Sequence, residues 1–219
     1  MKKYEFTGET KEWLDRTLHQ IRATSDFGDV KAGDVGGWIE KEANLSHSGS
    51  AWVLDNACVS DNACVSGSAC VLDNACVSDN AWVSGSAWVR DDACVSGSAC
   101  VLDNAWVSGN ARVLGSACVS GSACVLGSAC VRDDACVRDQ SHWLCIGPIG
   151  SRNDFTTFFR AQNMEIYVKC GCFLGSIQAF TEKVQDTHGD NNHAKRYMAA
   201  IELAKACIDL TPDNKEEAK

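Results

Sequence analysis

The stretch AWVLDNACVSDNACVSGS, residues 51–68, repeats one hexapeptide three times. Continued to residue 137, the pattern A-x-V-x-x-x occurs fifteen times without an exception at the Ala or the Val position. Residues two apart on a strand point to the same face, so we expect Ala and Val to face a core and the residue between them to face outward. The dipeptides that follow, such as D-N and G-S, favour tight turns with unusual backbone angles. A short strand and a turn every six residues predict a parallel β-helix.

The hexapeptide VLDNAC, residues 71–76, resembles the repeat of the left-handed parallel β-helix family. In that family three hexapeptides form one triangular coil, which implies about five coils here, stacked about 4.8 Å apart into a prism roughly 24 Å long. We therefore predict a mainly β protein, with a left-handed parallel β-helix of about five coils followed by a small α+β domain of βββαα order.

The aperiodic ends of the chain set the predicted domain boundaries. We interpret residues 1–50 as an N-terminal cap leading into the first coil, 51–140 as the β-helix, 141–210 as the α+β domain and 211–219 as a flexible tail. In the cap we expect a short strand at 3–7, a short helix or turn at 12–21, and Ile39 and Leu45 in the Ala slot of an end coil. In the α+β domain we expect strands near 142–147, 155–160 and 165–171, a helix capped by Ser176 that runs to Thr187, and a helix at 192–209.

The whole chain also resembles uncharacterised proteins carried by phages and prophages of gut bacteria. The segments that carry this resemblance are IRATSDFGDVKAGDVGGWIEKEANLS (21–46), the A-x-V run, WLCIGPIGSRNDFTTFF (143–159), VKCGCFLGSI (168–177) and THGDN (187–191). In typical members the outward slot holds Tyr, Arg, Trp or His more often than Cys. The resemblance implies a phage or prophage origin and carries over no activity.

Ten of the fourteen cysteines lie in the outward slot between Ala and Val. Since three hexapeptides form a coil, residues eighteen apart stack in columns. The first column is Trp52, Cys70, Trp88, Trp106, Cys124; the second is Cys58, Cys76, Cys94, Arg112, Cys130; the third is Cys64, Trp82, Cys100, Cys118, Cys136. Cys shares its slot with Trp and Arg, which argues against a zinc array, and a reducing compartment argues against disulfides. We interpret these cysteines as small apolar residues of an outer wall and predict neither metal nor cofactor.

The first column differs from the others because leucines flank it. An apolar face of this size is typical of an interface, and left-handed β-helix proteins commonly form trimers. We predict a homotrimer, with an interface formed by Trp52, Leu54, Cys70, Leu72, Trp88, Trp106, Cys124 and Leu126. The alternative is that these tryptophans are scattered surface residues without a partner.

Composition restricts the partners. The chain has 29 acidic and 20 basic residues, a net charge of −9, which gives no electrostatic footprint for nucleic acid or an anionic membrane. The N-terminus lacks the apolar core of a secretory signal, and no apolar run is long enough to span a bilayer. We therefore expect a protein of the bacterial host cytoplasm that neither binds nucleic acid directly nor inserts into a membrane.

Chemistry is expected after the repeat, in the loop IGPIGSRND, residues 146–154. A glycine-containing loop with an arginine and free backbone N–H groups suits an anion. We predict ligand-binding residues at Gly150, Ser151, Arg152, Asn153, His188, Asp190 and Asn191, and no catalytic residue. For the last three, the alternative role is a helix cap and turn. The CGC motif at 170–172, together with Cys145, is either a thiol cluster or packing.

The function we favour is a non-catalytic trimeric binding protein, encoded by a phage, that acts against host defence. It would sequester an anionic, nucleotide-like signal or block a host immune protein. The alternatives are an acidic nucleic-acid mimic, since residues 51–140 carry 10 acidic and 4 basic residues, a structural phage rod, and an acyltransferase. Acyltransferases of this fold need a histidine at a coil edge, and His47 and His142 lie just outside the repeats.

Overall fold

The computed structural model describes residues 2–212, so that 213–219 of the predicted tail lie outside the described residues. The described residues divide into two compact units, 2–134 with 138–140, and 135–137 with 141–212. Each unit is described here by itself.

The repeat folds as a parallel β-solenoid in which each hexapeptide forms one very short strand. These fifteen strands, β4 to β18, are Trp52–Val53, Cys58–Val59, Cys64–Val65, Cys70–Val71, Cys76–Val77, Trp82–Val83, Trp88–Val89, Cys94–Val95, Cys100–Val101, Trp106–Val107, Arg112–Leu114, Cys118–Val119, Cys124–Val125, Cys130–Arg132 and Cys136–Val137. Within the first unit, each strand pairs in parallel with the strand eighteen residues further along, as Cys76 does with Cys94. This register confirms the stacking of the predicted columns in that unit. The hand of the coil stays a prediction.

The interior of the solenoid consists of the invariant residues. The Ala and the Val of all fifteen repeats are at most 1% exposed. Burial of apolar surface is worth roughly 25 cal/mol per Å², so a repeated pair of small apolar side chains supplies a continuous core. The sequence prediction of the inner face is therefore confirmed.

The turns between the strands repeat one backbone conformation. The first turn residue is Asp with φ of 55–60° or Gly with φ of 62–76° at every position from 55 to 133. Asp and Asn tolerate this left-handed region better than other side chains. The Asp carboxylates also accept backbone N–H groups of the next coil: Asp79 Oδ2 lies 2.9 Å from the Gly97 nitrogen, and Asp91 Oδ2 lies 2.9 Å from the Gly109 nitrogen.

The solenoid has about six turns rather than the five inferred from the A-x-V run, because the cap contributes one more. Strand β3 (Val35–Ile39) pairs in parallel with Cys58–Val59, and Leu45 bridges Val65. A 3₁₀ turn at Glu42–Asn44 lies between these two contacts. Ile39 and Leu45 are thus aligned with Val59 and Val65, and the expectation that they fill the Ala slot was wrong. The first coil advances twenty residues instead of eighteen, which changes the slot.

The N-terminal segment is a β-hairpin: of the helix or turn expected at 12–21, the structure has a turn at 14–15, and the rest of that range is strand. Strands β1 (Tyr4–Trp13) and β2 (Arg16–Ala23) pair antiparallel, and β2 also pairs antiparallel with β3. The two residues that connect β1 and β2, Leu14 and Asp15, both have positive φ, of 46° and 61°. Two-residue hairpin loops favour this geometry because it matches the twist of the strands.

The second unit contains an antiparallel sheet and two helices. The sheet order is β19 (Trp143–Ile149), β20 (Asp154–Arg160), β21 (Ile166–Cys170), β22 (Phe173–Ser176). The segment expected to be one strand at 165–171 continues through a turn at 171–172 into a fourth strand, since Gly171 has φ of 53°. Helices α1 (Ile177–His188) and α2 (Asn192–Cys207) follow, and a 3₁₀ turn at Gln140–His142 precedes the sheet.

The core of the second unit lies between sheet and helices. Ser176 caps α1 as predicted, with its hydroxyl 3.2 Å from the Ala179 nitrogen. Phe180 and Val184 of α1 are buried against Phe158 and Val168 of the sheet, together with four residues of α2: Tyr197, Ala200, Ile201 and Ala204. Among residues 2–212, no helix is long and apolar enough to cross a membrane.

Candidate functional site

The turn at residues 150–153 connects β19 to β20 and is held tightly. Ile149 and Asp154 pair across its base, and the Asn153 N–H donates to the Gly150 carbonyl at 3.4 Å. Gly150 has φ of 73°, and a Cβ there would lie 1.8 Å from the Tyr197 hydroxyl oxygen. Only glycine can therefore occupy this position without displacing Tyr197.

Tyr197 of α2 supports the turn from below. The Ser151 backbone N–H donates to its hydroxyl oxygen, and burial followed by a hydrogen bond with Cys170 raises the pKa of Tyr197 to about 12. The Cys170 sulfur lies 3.6 Å from that hydroxyl and 3.3 Å from the hydroxyl of the buried Thr156. The N–H groups of Ser151 and Asn153 are therefore already used within the unit, which leaves fewer backbone donors of the turn for an anion than the sequence suggests.

Arg152 is the cation of the turn and is exposed to solvent, as are Ser151 and Asn153. Its guanidinium Nη1 lies 3.7 Å from the Cys172 sulfur, and this hydrogen bond raises the pKa of Arg152. A Cβ at Gly171 would lie 2.8 Å from the same Nη1, so the arginine rests on the Gly171 backbone. The Lys169 ammonium donates to the Gly171 carbonyl. Two cationic side chains thus meet at Gly171, and no ion pair of Arg152 is found within residues 2–212. We call Arg152, Lys169 and the turn at 150–153 the Arg152 turn.

The three predicted site residues of the interhelical segment have different roles. His188 stacks on the Tyr197 ring with centroids 5.8 Å apart, which connects it to the Arg152 turn. Asn191 is the N-cap of α2, because its side-chain oxygen lies 2.8 Å from the His193 nitrogen and 3.0 Å from the Ala194 nitrogen. Asp190 is exposed in the same segment. The alternative role, a helix cap, therefore describes Asn191.

Sequence reasoning missed Tyr197 and Lys169 as members of this site. Tyr197 is also a core residue of α2, at 5% exposure. A single sequence carries no signal that pairs Gly150 with a residue 47 positions later. The CGC motif was noted for its thiols, whereas its glycine and Cys172 are what contact Arg152.

The first column does not present all of the predicted interface residues to solvent. Trp52 is 2% exposed because Tyr4 and Phe27 of the N-terminal segment pack against its ring, at centroid distances of 6.3 and 5.3 Å. Trp52 is therefore a core residue of the cap and is excluded from an interface. Four other predicted members are half-buried: Leu54, Cys70, Leu72 and Cys124.

The exposed part of the face consists of Trp88, Trp106 and Leu126, which are 41, 38 and 44% exposed. We call these three residues the Trp patch. The rings of Trp88 and Trp106 stack with centroids 5.9 Å apart. Arg90 borders the patch, with its guanidinium 5.8 Å from the Trp106 ring and 3.5 Å from an Asp91 oxygen.

The histidines closest to the repeat are structural. His47 accepts the Lys3 backbone N–H at 3.3 Å and stacks on Tyr4 at 4.3 Å, and burial lowers its pKa. His142 is 5% exposed. Within residues 2–212, no group of three or more His, Cys, Asp or Glu side chains is arranged to hold a metal ion, and no disulfide is formed.

Comparisons with known proteins match parts of the chain. The family described as the YdcK beta solenoid repeat matches residues 105–121. The chain is also similar to a protein of Escherichia coli (strain K12) named "Uncharacterized acetyltransferase YdcK", with 43% identity over 56 residues. That match covers 26% of this chain and 16% of the relative. These matches agree with a β-solenoid repeat.

Proposed function

We propose that this protein is a non-catalytic binding protein whose second unit binds a small anionic, nucleotide-like ligand at the Arg152 turn. The observation that carries the proposal is the exposed Arg152 guanidinium. Its hydrogen-bond partner is a thiol and not a carboxylate, so its charge is available to a ligand. Arginine binds phosphate through two parallel N–H···O bonds, which makes it suited to this role.

Rigidity of the Arg152 turn supports the same proposal. Tyr197 holds the turn by the Ser151 N–H, and Gly171 lies directly against Arg152, which limits the freedom of the side chain. A cation that is already positioned loses less conformational entropy when it binds. Lys169 adds a second positive charge beside Gly171, and His188 extends the site through its contact with Tyr197.

The β-solenoid is proposed to assemble the protein into a homotrimer through the Trp patch. The support is an exposed, stacked pair of tryptophans with Leu126 on one flat face, since contiguous apolar surface is typical of interfaces. Trp52 takes no part in this interface.

The biological setting is inferred from the resemblance to phage and prophage proteins. In the host cytoplasm, such a protein would act against host defence by sequestering a nucleotide signal, or by blocking a host immune protein. The nucleic-acid mimic is less favoured, because carboxylates such as those of Asp79 and Asp91 each accept a backbone N–H of the next coil, which fixes their positions to the solenoid turns.

A second candidate function is acyl transfer, which the similarity to the relative named as an acetyltransferase favours. The geometry argues against it within the repeat. No histidine occurs between residues 51 and 137, and the hexapeptides run without an inserted loop. Acetyl-CoA is itself an anionic nucleotide, so binding and turnover must be measured separately.

The test is isothermal titration calorimetry of the full chain with inorganic phosphate, cyclic AMP, 5′-AMP and acetyl-CoA. We expect at least one nucleotide to bind, and Arg152→Ala to weaken binding by at least about tenfold, since a charge-assisted hydrogen bond is worth roughly 1.5–3 kcal/mol. Arg152→Lys keeps the charge but loses the bidentate geometry, so its affinity should lie between that of the wild type and that of Arg152→Ala.

Lys183→Ala is the matched control, because it removes one exposed positive charge from helix α1. The proposal fails if none of these probes binds the wild-type chain, or if Lys183→Ala weakens binding as much as Arg152→Ala. Release of coenzyme A from acetyl-CoA, followed by mass spectrometry, would instead favour the acyltransferase.

A further inference from the structure

Three cysteines of the second column, Cys58, Cys76 and Cys94, lie opposite one another on adjacent coils, and of these only Cys94 also lies opposite an arginine. Cys76 and Cys94 lie directly opposite each other in the parallel pair Cys76–Val77 and Cys94–Val95, and their thiols are hydrogen-bonded. Neighbouring strands lie about 4.8 Å apart, and disulfides span Cα distances of roughly 4.4–6.8 Å. This strand spacing falls within the Cα range of disulfides, and a small approach of the two Cβ atoms, to about 3.5–4.5 Å, completes the geometry.

The surroundings of the two thiols are unequal. The next residue along the column is Arg112, which lies directly opposite Cys94. The Cys76 hydrogen bond lowers the pKa of Cys94 to about 7, with further help from Arg112 and the Ser96 side chain, although burial and Asp79 oppose it. The pKa of Cys76 is raised, first by its hydrogen bond to Cys94 and then by burial. The position of Arg112 opposite Cys94 therefore favours the thiolate form on Cys94 over Cys76.

Cys70 occupies the same outward slot in the first column but lacks these neighbours, so its pKa can be compared with that of Cys94. It lies between Trp52 and Trp88 on the adjacent strands, so no cysteine is opposite it. Burial, followed by Asp55 and Asp73, raises the pKa of Cys70 to about 11. Cys70 is therefore a matched control for Cys94.

We propose that Cys76 and Cys94 form a redox-active dithiol that a hydroperoxide oxidises to a disulfide, with Cys94 as the attacking thiol. The Cys94 thiolate attacks one peroxide oxygen, the O–O bond breaks, and the departing hydroxide takes a proton to become water. Cys94 then carries a sulfenic acid. The Cys76 sulfur attacks the Cys94 sulfur, the S–OH bond breaks, and the hydroxide leaves as water with the proton of Cys76. Two thiols are oxidised and one hydrogen peroxide is reduced to two waters.

The experiment treats the reduced full-length chain with one equivalent of hydrogen peroxide, alkylates the remaining thiols and digests without reductant. Cleavage before aspartate places Cys76 in peptide 73–78, and Cys94 together with Cys100 in peptide 92–102, so Cys100→Ser is needed to assign the second half of the bond. We expect these two peptides to be joined, with the loss of two hydrogen atoms, before any other cross-link forms. Peptide 55–60 has the same sequence, DNACVS, as 73–78, so Cys58→Ser is needed to assign the bond.

Three variants keep the proposal falsifiable. The cross-link should persist in Cys58→Ser and Cys70→Ser and be lost in Cys76→Ser. In Cys76→Ser, the sulfenic acid on Cys94 should accumulate and react with dimedone. Without peroxide, Cys94 should react with iodoacetamide at pH 7.5 at least about tenfold faster than Cys70, because the thiolate is the nucleophile. Equal rates at the two cysteines, or a first cross-link that excludes Cys76 and Cys94, would overturn the proposal.

Discussion

The solenoid and the second unit use positive φ turns in opposite ways. In the solenoid the same turn slot is filled by Asp or Gly from one repeat to the next, and both adopt φ near 60–70°. In the second unit the Arg152 turn depends on one glycine, Gly150, whose missing side chain leaves room for Tyr197. Most solenoid turn glycines lie against the backbone of the next coil, as Gly85 does against Asp103, whereas Gly127 has no atom within 4 Å of an added Cβ. Gly150 is instead fitted to one side chain, that of Tyr197.

The largest effect should come from a pair of Gly→Ala variants that separates these two cases. Gly127 has φ of 65° and no atom within 4 Å of an added Cβ, so Gly127→Ala incurs only the left-handed strain of about 1 kcal/mol. Gly150→Ala adds the collision with Tyr197 and should cost about 3 kcal/mol or more. For Gly150→Ala, urea unfolding is followed by ellipticity at 222 nm, which reports the second unit because it holds both described α-helices. For Gly127→Ala it is followed by tryptophan fluorescence, since six of the seven tryptophans precede residue 107.

Similar losses in the two glycine variants would show that Tyr197 moves aside freely. The Arg152 turn would then be no more constrained than a turn of the solenoid, and the preorganisation argued for Arg152 would be lost.

A smaller effect should show that Asp and Gly are not fully equivalent in the solenoid turns. Asp91 accepts the Gly109 N–H at 2.9 Å. Asp91→Gly keeps the allowed backbone angle but removes this bond, and should lower the free energy of unfolding by about 1 kcal/mol. Asp91→Asn retains an acceptor oxygen and should lose less. The comparison is measured by urea unfolding followed by tryptophan fluorescence. Equal stability of Asp91→Gly and the wild type would mean that the hydrogen bond from the Gly109 N–H to the Asp91 carboxylate contributes nothing to the free energy of unfolding.

The sequence predicted the solenoid well because its signal is redundant. Fifteen copies of Ala and Val at constant spacing define the inner face, the columns and the turns. A single substitution would leave this periodic pattern recognisable. The cap was predicted poorly, because its first coil advances twenty residues and its hairpin depends on Leu14 and Asp15, which give no strong turn signal.

The position of the Arg152 turn was predicted from its residues, but its tertiary contacts were not. Arg152 and Gly150 stand out in the sequence as a cation and a flexible residue in one loop. Their support by Tyr197, Lys169 and Cys172 comes from tertiary packing between a helix and two strands. Likewise, Trp52 matches the exposed Trp88 and Trp106 in its hexapeptide context, and only the hairpin that covers it makes it a core residue.

The central claim is that the solenoid assembles the protein through the Trp patch while the second unit binds the ligand. Its most direct test is the solution mass by light scattering, compared with the 23.5 kDa of one chain. We predict three times that mass for the wild type and a single-chain mass for Trp88→Glu. Trp82→Glu, which changes an exposed tryptophan of the third column, should leave the trimer intact. A wild-type mass of 23.5 kDa, or a Trp88→Glu variant that remains trimeric, would contradict the account.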